Sequence, residues 1–137
     1  LLFALLTGKG LNAQSFNVDS ALSAMSIDEK IGQLFMVAAY SNKGEEHQGE
    51  LEKLVRDYHI GGVIVMQGGP ERQKKLLHRL QSAASSPLLV GQDAEWGQAM
   101  RLDSTYKFPT SLTVGAAGGT MDAYDLGHVL ADECPFP

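Results

Sequence analysis

Pro87-Leu88-Leu89-Val90-Gly91-Gln92-Asp93-Ala94-Glu95-Trp96-Gly97 joins an apolar run of strand length to two carboxylates, a tryptophan and a glycine. Pro87 restarts the chain, and Leu88 to Gln92 reads as a buried strand. Asp93 comes directly after it, so its side chain is expected at the mouth of the sheet. Parallel α/β proteins bind ligands beyond the carboxyl ends of their strands. A carboxylate beside an aromatic ring suits a sugar, because the carboxylate accepts hydrogen bonds from hydroxyls while the ring covers the apolar face of the pyranose. Asp93 and Glu95 stand two residues apart. That spacing points them the same way on a strand but not on a turn, so it does not by itself make a catalytic pair.

Upstream, the same alternation of elements recurs. Val18, Ala21, Leu22 and Met25 are spaced as on a short amphipathic helix. Ser26-Ile27-Asp28-Glu29 fits a capping box, which predicts a helix from Ile27 to about Leu34. Phe35 to Ala39 is a strand, Ser41 to Gly49 a polar loop, and Leu51, Leu54, Val55 and Tyr58 mark a helix. Gly61-Gly62 precedes the strand Val63 to Met66, and Pro70 opens a helix with Leu76, Leu77 and Leu80 as its stripe. Both glycine pairs, Gly61-Gly62 and Gly68-Gly69, read as tight turns. Downstream of Asp93, Arg101 to Phe108 reads as a loop and Ser111 to Val114 as a weak fourth strand. Gly115 to Thr120 reads as a turn, and Asp122 as the cap of a helix holding Leu126, Val129 and Leu130.

Strands apolar on both faces imply a parallel sheet covered by helices. Alternating units allow a doubly wound open sheet or a (β/α)8 barrel, and periodicity does not choose between them. A barrel needs roughly 250 residues, so the 137 present would supply about half of one.

Composition excludes several classes of function. With 44% hydrophobic and 20% charged residues the chain reads as globular. A net charge of -5 leaves no basic stripe for nucleic acid. The one basic stretch, Arg72-Gln73-Lys74-Lys75 with Arg79, reads as a solvated helix face. Cys134 is the single cysteine, so neither a disulfide framework nor a cysteine zinc site can form, and it reads as a small helix residue. His47, His59, His78 and His128 have no HxH or HExxH spacing, and no metal or cofactor is expected. His78 and His128 are expected on helices, as surface or satisfied core residues. No phosphate loop and no GxSxG element is present.

The ends point to export. Leu1 to Leu6 is an apolar run succeeded by polar and small residues, which is the pattern of a secretory signal cleaved after Ala13. The run is too short to span a membrane. The organisation expected is 1–13 partial signal peptide, 14–24 N-terminal linker and helix, and 25–137 the truncated N-terminal portion of a barrel domain, in a periplasmic or extracellular protein.

Several segments together resemble the N-terminal domain of glycoside hydrolase family 3. They are Met25-Ser26-Ile27-Asp28-Glu29-Lys30-Ile31-Gly32-Gln33-Leu34-Phe35, Tyr58-His59-Ile60-Gly61-Gly62-Val63-Ile64-Val65, the run from Pro87 to Gly97 with Met100-Arg101, Phe108-Pro109-Thr110, and the stretch from Val114 to Glu133. The Asp-Ala-Glu-Trp-Gly form looks most like bacterial β-N-acetylglucosaminidase-type members, some of which carry a fused β-lactamase-like domain further along. The resemblance implies a TIM-like barrel, of which this is the N-terminal half, and retaining hydrolysis of terminal non-reducing β-linked sugars. The substrate implied is a β-linked glycan or muropeptide-type saccharide. By match, Asp93 is the sugar-hydroxyl-binding aspartate. Glu95, Trp96 and Arg101 are expected to shape the site, with Glu95 and Arg101 forming the loop or pairing with each other. Trp96 stands where the family frequently has glycine, which is expected to narrow the pocket.

The family's nucleophile, its acid/base and its Lys-His segment lie beyond Pro137, so no catalytic carboxylate is assigned. The segment alone is expected to be inactive, with unpaired strand edges that aggregate. The rival readings are a β-glucosidase of the same family, a non-catalytic sugar-binding or scaffold barrel, and a flavodoxin-like sheet with a phosphate ligand. The last is disfavoured because the loop after the first strand offers only Gly44 and Gly49.

Overall fold

A computed structural model describes residues 18–132. The expected signal at 1–13, the start of the linker and Cys134 lie outside the described residues.

Ser26 caps α2 (Ile27–Gly32) as a complete capping box: its hydroxyl accepts from the Glu29 amide at 3.2 Å, and the Glu29 carboxylate takes the Ser26 amide at 2.8 Å. These bonds to Ser26 hold the Glu29 carboxyl below the usual carboxylate range. A short helix, α1 (Val18–Ala24), precedes it. Then come β1 (Met36–Ala39), α3 (Glu45–Tyr58), β2 (Gly62–Val65), α4 (Pro70–Ala83) and β3 (Leu89–Gln92).

The three strands form a parallel sheet in the order β1-β2-β3, with Val37, Val63 and Val90 in one row and Ala39, Val65 and Gln92 in the next. Paired residues share a face, and so do residues two apart. These two rows therefore turn to one side. There Ala39 and Val63 pack with Leu51 and Val55 of α3 and with Leu76 and Leu80 of α4, all at most 2% exposed. Both crossover helices thus cover the same face. Truncating Leu80 in this core would cost about 2–5 kcal/mol.

The other face carries Met36, Ala38, Gly62, Ile64, Leu89 and Gly91 and is open, with Met36 48% and Leu89 70% exposed. The Met36 thioether lies across it: a Cβ on Gly62 would fall 2.9 Å from Met36 Cε, and one on Gly91 3.6 Å from its Sδ.

The glycine pairs are not the turns expected. Only Gly97 and Gly118 among the described glycines have positive φ. Gly61 and Gly62 instead permit backbone to pack on backbone. A Cβ on Gly61 would lie 2.2 Å from the Gln33 carbonyl oxygen, and one on Gly32 2.1 Å from the Tyr58 carbonyl oxygen. The Gln33 side chain completes this joint by donating to the His59 carbonyl at 2.7 Å, where His59 ends α3 in the left-handed region at φ 51°. The helix-opening and double-glycine motifs are therefore two sides of one contact.

Three further expectations are corrected. The polar loop is shorter than expected, because α3 begins at Glu45. Glu45 and Glu46 favour the positive end of the helix, a start signal with no apolar residue in it. Ser111 to Val114 is no strand but part of α5 (Ser111–Ala117), capped by Thr110, whose hydroxyl accepts from the Thr113 amide at 3.4 Å. Strand preference in Thr113 and Val114 counts only with a neighbour to pair, and a local cap wins. The last helix, α6 (Thr120–Asp132), starts two residues before the expected cap, leaving Asp122 in its first turn.

The basic stretch is also more than a solvated face. Arg79 bridges to α3, donating to Glu45 at 2.7 Å and Glu52 at 2.8 Å, and Arg72 pairs with Asp103.

Candidate functional site

The sequence places Asp93 one residue beyond β3, and the structure keeps it there, at the carboxyl end of the sheet, with its side chain 44% exposed. Beyond Asp93 the chain reverses. The Gly97 amide donates to the Ala94 carbonyl at 3.0 Å, and Gly97 takes φ 98°, a conformation open to glycine without strain. Trp96 beside it is half-buried and not in the left-handed region, so the turn tolerates its bulk. A single 3₁₀ turn, Gln98–Met100, then carries the chain back towards the strand it left.

This return delivers Arg101. Its Nη2 donates to the Asp93 carboxylate at 2.7 Å and its Nε to the Asp93 carbonyl at 3.0 Å. Arg101 is the deeper partner, with its side chain 14% exposed. A partly buried two-pronged pair of this kind fixes geometry in a way exposed ion pairs do not. It orients the Asp93 carboxyl group while leaving acceptor capacity on an accessible edge, since a carboxylate has about four lone-pair sites.

The pairing of Arg101 with Glu95 does not form; Arg101 takes Asp93 instead. Glu95 is exposed and lies on a cleft of about 470 Å³ that also reaches Ser111 and Val114 of α5 and Thr120 and Leu126 of α6.

Sequence reasoning missed the supports of this loop. Gly68 and Leu102 form an isolated parallel bridge: the Gly68 amide donates to the Arg101 carbonyl at 3.0 Å, and the Asp103 amide to the Gly68 carbonyl at 2.9 Å. Leu102 is buried, and Asp103 pairs with Arg72 at the start of α4. Bonds from Ser104 and then Arg72 hold the Asp103 carboxyl below its ordinary range. On the far side of Gly68, the buried Ser41 hydroxyl accepts from the Gly69 amide at 3.3 Å. The one available signal was the eight-residue spacing from Asp93 to Arg101 across a glycine turn.

The histidines stand apart from this constellation. His47 Nε2 accepts from the Tyr40 amide at 3.2 Å, and burial, then the Lys43 charge, hold it below the usual histidine range while Glu50 opposes. His78 is exposed, and His128, also exposed, lies edge-on to Tyr124. Among the described residues no group of three His, Cys, Asp or Glu side chains could hold a metal, and no helix is long and apolar enough to cross a membrane.

A parallel sheet ending in an oriented, accessible carboxylate is a place to bind hydroxyls. Comparison with known proteins gives the family. Over 103 residues the chain is 30% identical to a protein of Cellulomonas fimi named "Beta-N-acetylglucosaminidase/beta-glucosidase". That similarity covers 75% of the chain but 18% of the relative, so the chain spans under a fifth of the relative's length. Residues 26–135 match the family described as "Glycosyl hydrolase family 3 N terminal domain", and the chain belongs to that family.

Proposed function

We propose that the full-length protein is a retaining glycosidase acting on terminal non-reducing β-linked sugars, β-N-acetylglucosaminides first, in which Asp93, oriented by Arg101, binds the hydroxyls of the terminal sugar. The observation that carries this is the accessible Asp93 carboxylate, oriented by Arg101 at the carboxyl end of β3. β-Glucosides are the second reading, because the relative's name carries both activities.

The proposed frame is a TIM-like (β/α)8 barrel to which this chain contributes the first strands. Two features support it. The strand order is sequential with α3 and α4 on one face, the arrangement that successive units of a barrel repeat. The opposite face, open and apolar at Met36 and Leu89, is what a barrel interior presents before its remaining strands close it. Continued one residue past Gln92, the strand alternation carries Asp93 towards that same face.

In this reading Asp93 grips the sugar and Arg101 orients the grip. Trp96 narrows the pocket, and the displacement chemistry belongs to carboxylates elsewhere in the protein. Export to the periplasm or beyond, with residues 1–13 as the leader, is part of the same proposal.

The test is turnover of p-nitrophenyl β-N-acetylglucosaminide and p-nitrophenyl β-glucoside by the full-length protein and its Asp93→Ala variant. Losing a charged acceptor of hydroxyl hydrogen bonds should lower kcat/KM by about 100-fold or more. Unchanged kinetics in a folded Asp93→Ala variant would remove Asp93 from the site.

A further inference from the structure

The bonds around Gly68 tie the ends of all three strands into one unit. The end of β1 reaches it through Ser41, whose Oγ would lie 1.7 Å from a Cβ on Gly68, so position 68 has no room for a side chain. The same hydroxyl accepts the Gly69 amide, which makes this buried serine a spacer between two strand ends. Gly68 continues β2. Through its amide and carbonyl it fixes the backbone on both sides of Leu102, at the Arg101 carbonyl and the Asp103 amide. Arg101 in turn holds Asp93 beyond β3. Beyond these bonds, the buried Leu102 side chain and the ion pair from Asp103 to Arg72 on α4 hold the Arg101–Asp103 strap against sliding.

We propose that Asp103, through Arg72, and Gly68 are positioning residues for the sugar site: they set where the Arg101 guanidinium sits and so where the Asp93 carboxylate points. This rests on the proposed role of Asp93 and Arg101 in sugar binding. An arginine that takes both a carbonyl and a carboxylate of the same residue has little tolerance for displacement, since hydrogen bonds weaken steeply with distance and angle. A shift of its own backbone is transmitted directly to the group it holds. The Asp103–Arg72 pair lies on the surface, so its own contribution to stability is small. Its effect should therefore appear in substrate binding rather than in melting temperature.

The experiment uses the full-length protein, p-nitrophenyl β-N-acetylglucosaminide as substrate and N-acetylglucosamine as competitive inhibitor. Asp103→Asn should raise KM and the inhibition constant by about 3- to 10-fold, in the lower part of the range for coupled neighbours. It should leave kcat within about twofold, because binding rather than the chemical step is disturbed. In an Arg101→Ala background the same substitution should add nothing, since there is no guanidinium left to aim. Exchanging the charges in the double variant Arg72→Asp with Asp103→Arg should recover most of the lost affinity. Gly68→Ala should be worse than Asp103→Asn, but it also crowds Ser41 and can fail to fold, so Asp103→Asn carries the test.

If Asp103→Asn leaves KM unchanged, or acts equally with and without Arg101, the positioning role is overturned while the site itself stands, provided Asp93→Ala still impairs turnover. If Asp93→Ala has no effect, the site reading falls first and the positioning role with it.

Discussion

The Arg101 guanidinium holds Asp93 at two points eight residues back in the chain, the carboxylate at 2.7 Å and the carbonyl of the same residue at 3.0 Å. The second bond gives the first its meaning. A guanidinium anchored on the backbone of its partner presents the carboxyl group in a defined direction, whereas a flexible ammonium would present it in many. Arg101→Lys, which keeps the charge and loses the fork, should therefore lower kcat/KM of the full-length protein at least about tenfold. Steady-state kinetics on folded protein measures this, and activity equal to the parent would assign Arg101 a purely structural role.

Two glycines should respond in opposite directions to alanine. Gly49 lies inside α3, where a Cβ would meet nothing within 4 Å. Gly49→Ala should stabilise the protein by about 0.5–1 kcal/mol, because alanine loses less conformational freedom in a helix. At Gly61 the added atom would fall 2.2 Å from the Gln33 carbonyl oxygen, a backbone atom that cannot swing aside. Gly61→Ala should destabilise by about 1–3 kcal/mol through overpacking. Urea melts of both variants decide it, and midpoints moving the same way would contradict the joint between α2 and β2.

The capping box makes a more local claim. Ser26→Ala removes the acceptor for the Glu29 amide, which should cost about 1 kcal/mol. Ser26→Asp, which keeps an acceptor at the cap, should cost much less. Hydrogen exchange at the Glu29 amide is the direct readout, and protection unchanged in the alanine variant would show that the cap contributes nothing.

His47 gives the protein a pH dependence of definite sign. Its neutral ring accepts the Tyr40 amide, and burial and Lys43 hold its pKa below the ordinary histidine range. The folded state therefore binds a proton less readily than the unfolded one. Stability from this group is fully present above the unfolded pKa. It is lost as pH falls through the ordinary histidine range, roughly 6.5, and the loss levels off below the folded pKa. Melting temperature should thus decline on acidification across this range. The His47→Gln variant keeps a polar side chain but cannot titrate, and it should show a shallower decline. Parallel curves would show that other groups set the dependence.

Where a signal is local, the sequence and the structure agree. The capping box at Ser26 and the proline at the first turn of α4 act through neighbouring residues. The three apolar runs are legible as strands, although the helices cover one face of the sheet and leave Met36 and Leu89 exposed on the other. Asp93 was legible for a related reason: a strand ends where its hydrophobic run ends, and the next polar residue stands at the rim. By contrast, α3 starts on glutamates that carry no apolar periodicity, and α5 forms where β-branched residues suggested a strand.

The tertiary structure alone decided the rest. It set the adjacency of β1, β2 and β3, placed both crossover helices on one face, packed Gln33 against Gly61, and chose Asp93 rather than Glu95 for Arg101. Periodicity dictates none of these, because each pairs groups that are distant in the chain or separated by a turn whose course no single residue sets. Hydrophobic patterning specifies which segments are buried and is indifferent to their partners. Ion-pair partners and backbone-to-backbone contacts are settled only once the turn at Gly97 and the crowding at Gly68 have fixed the chain's path.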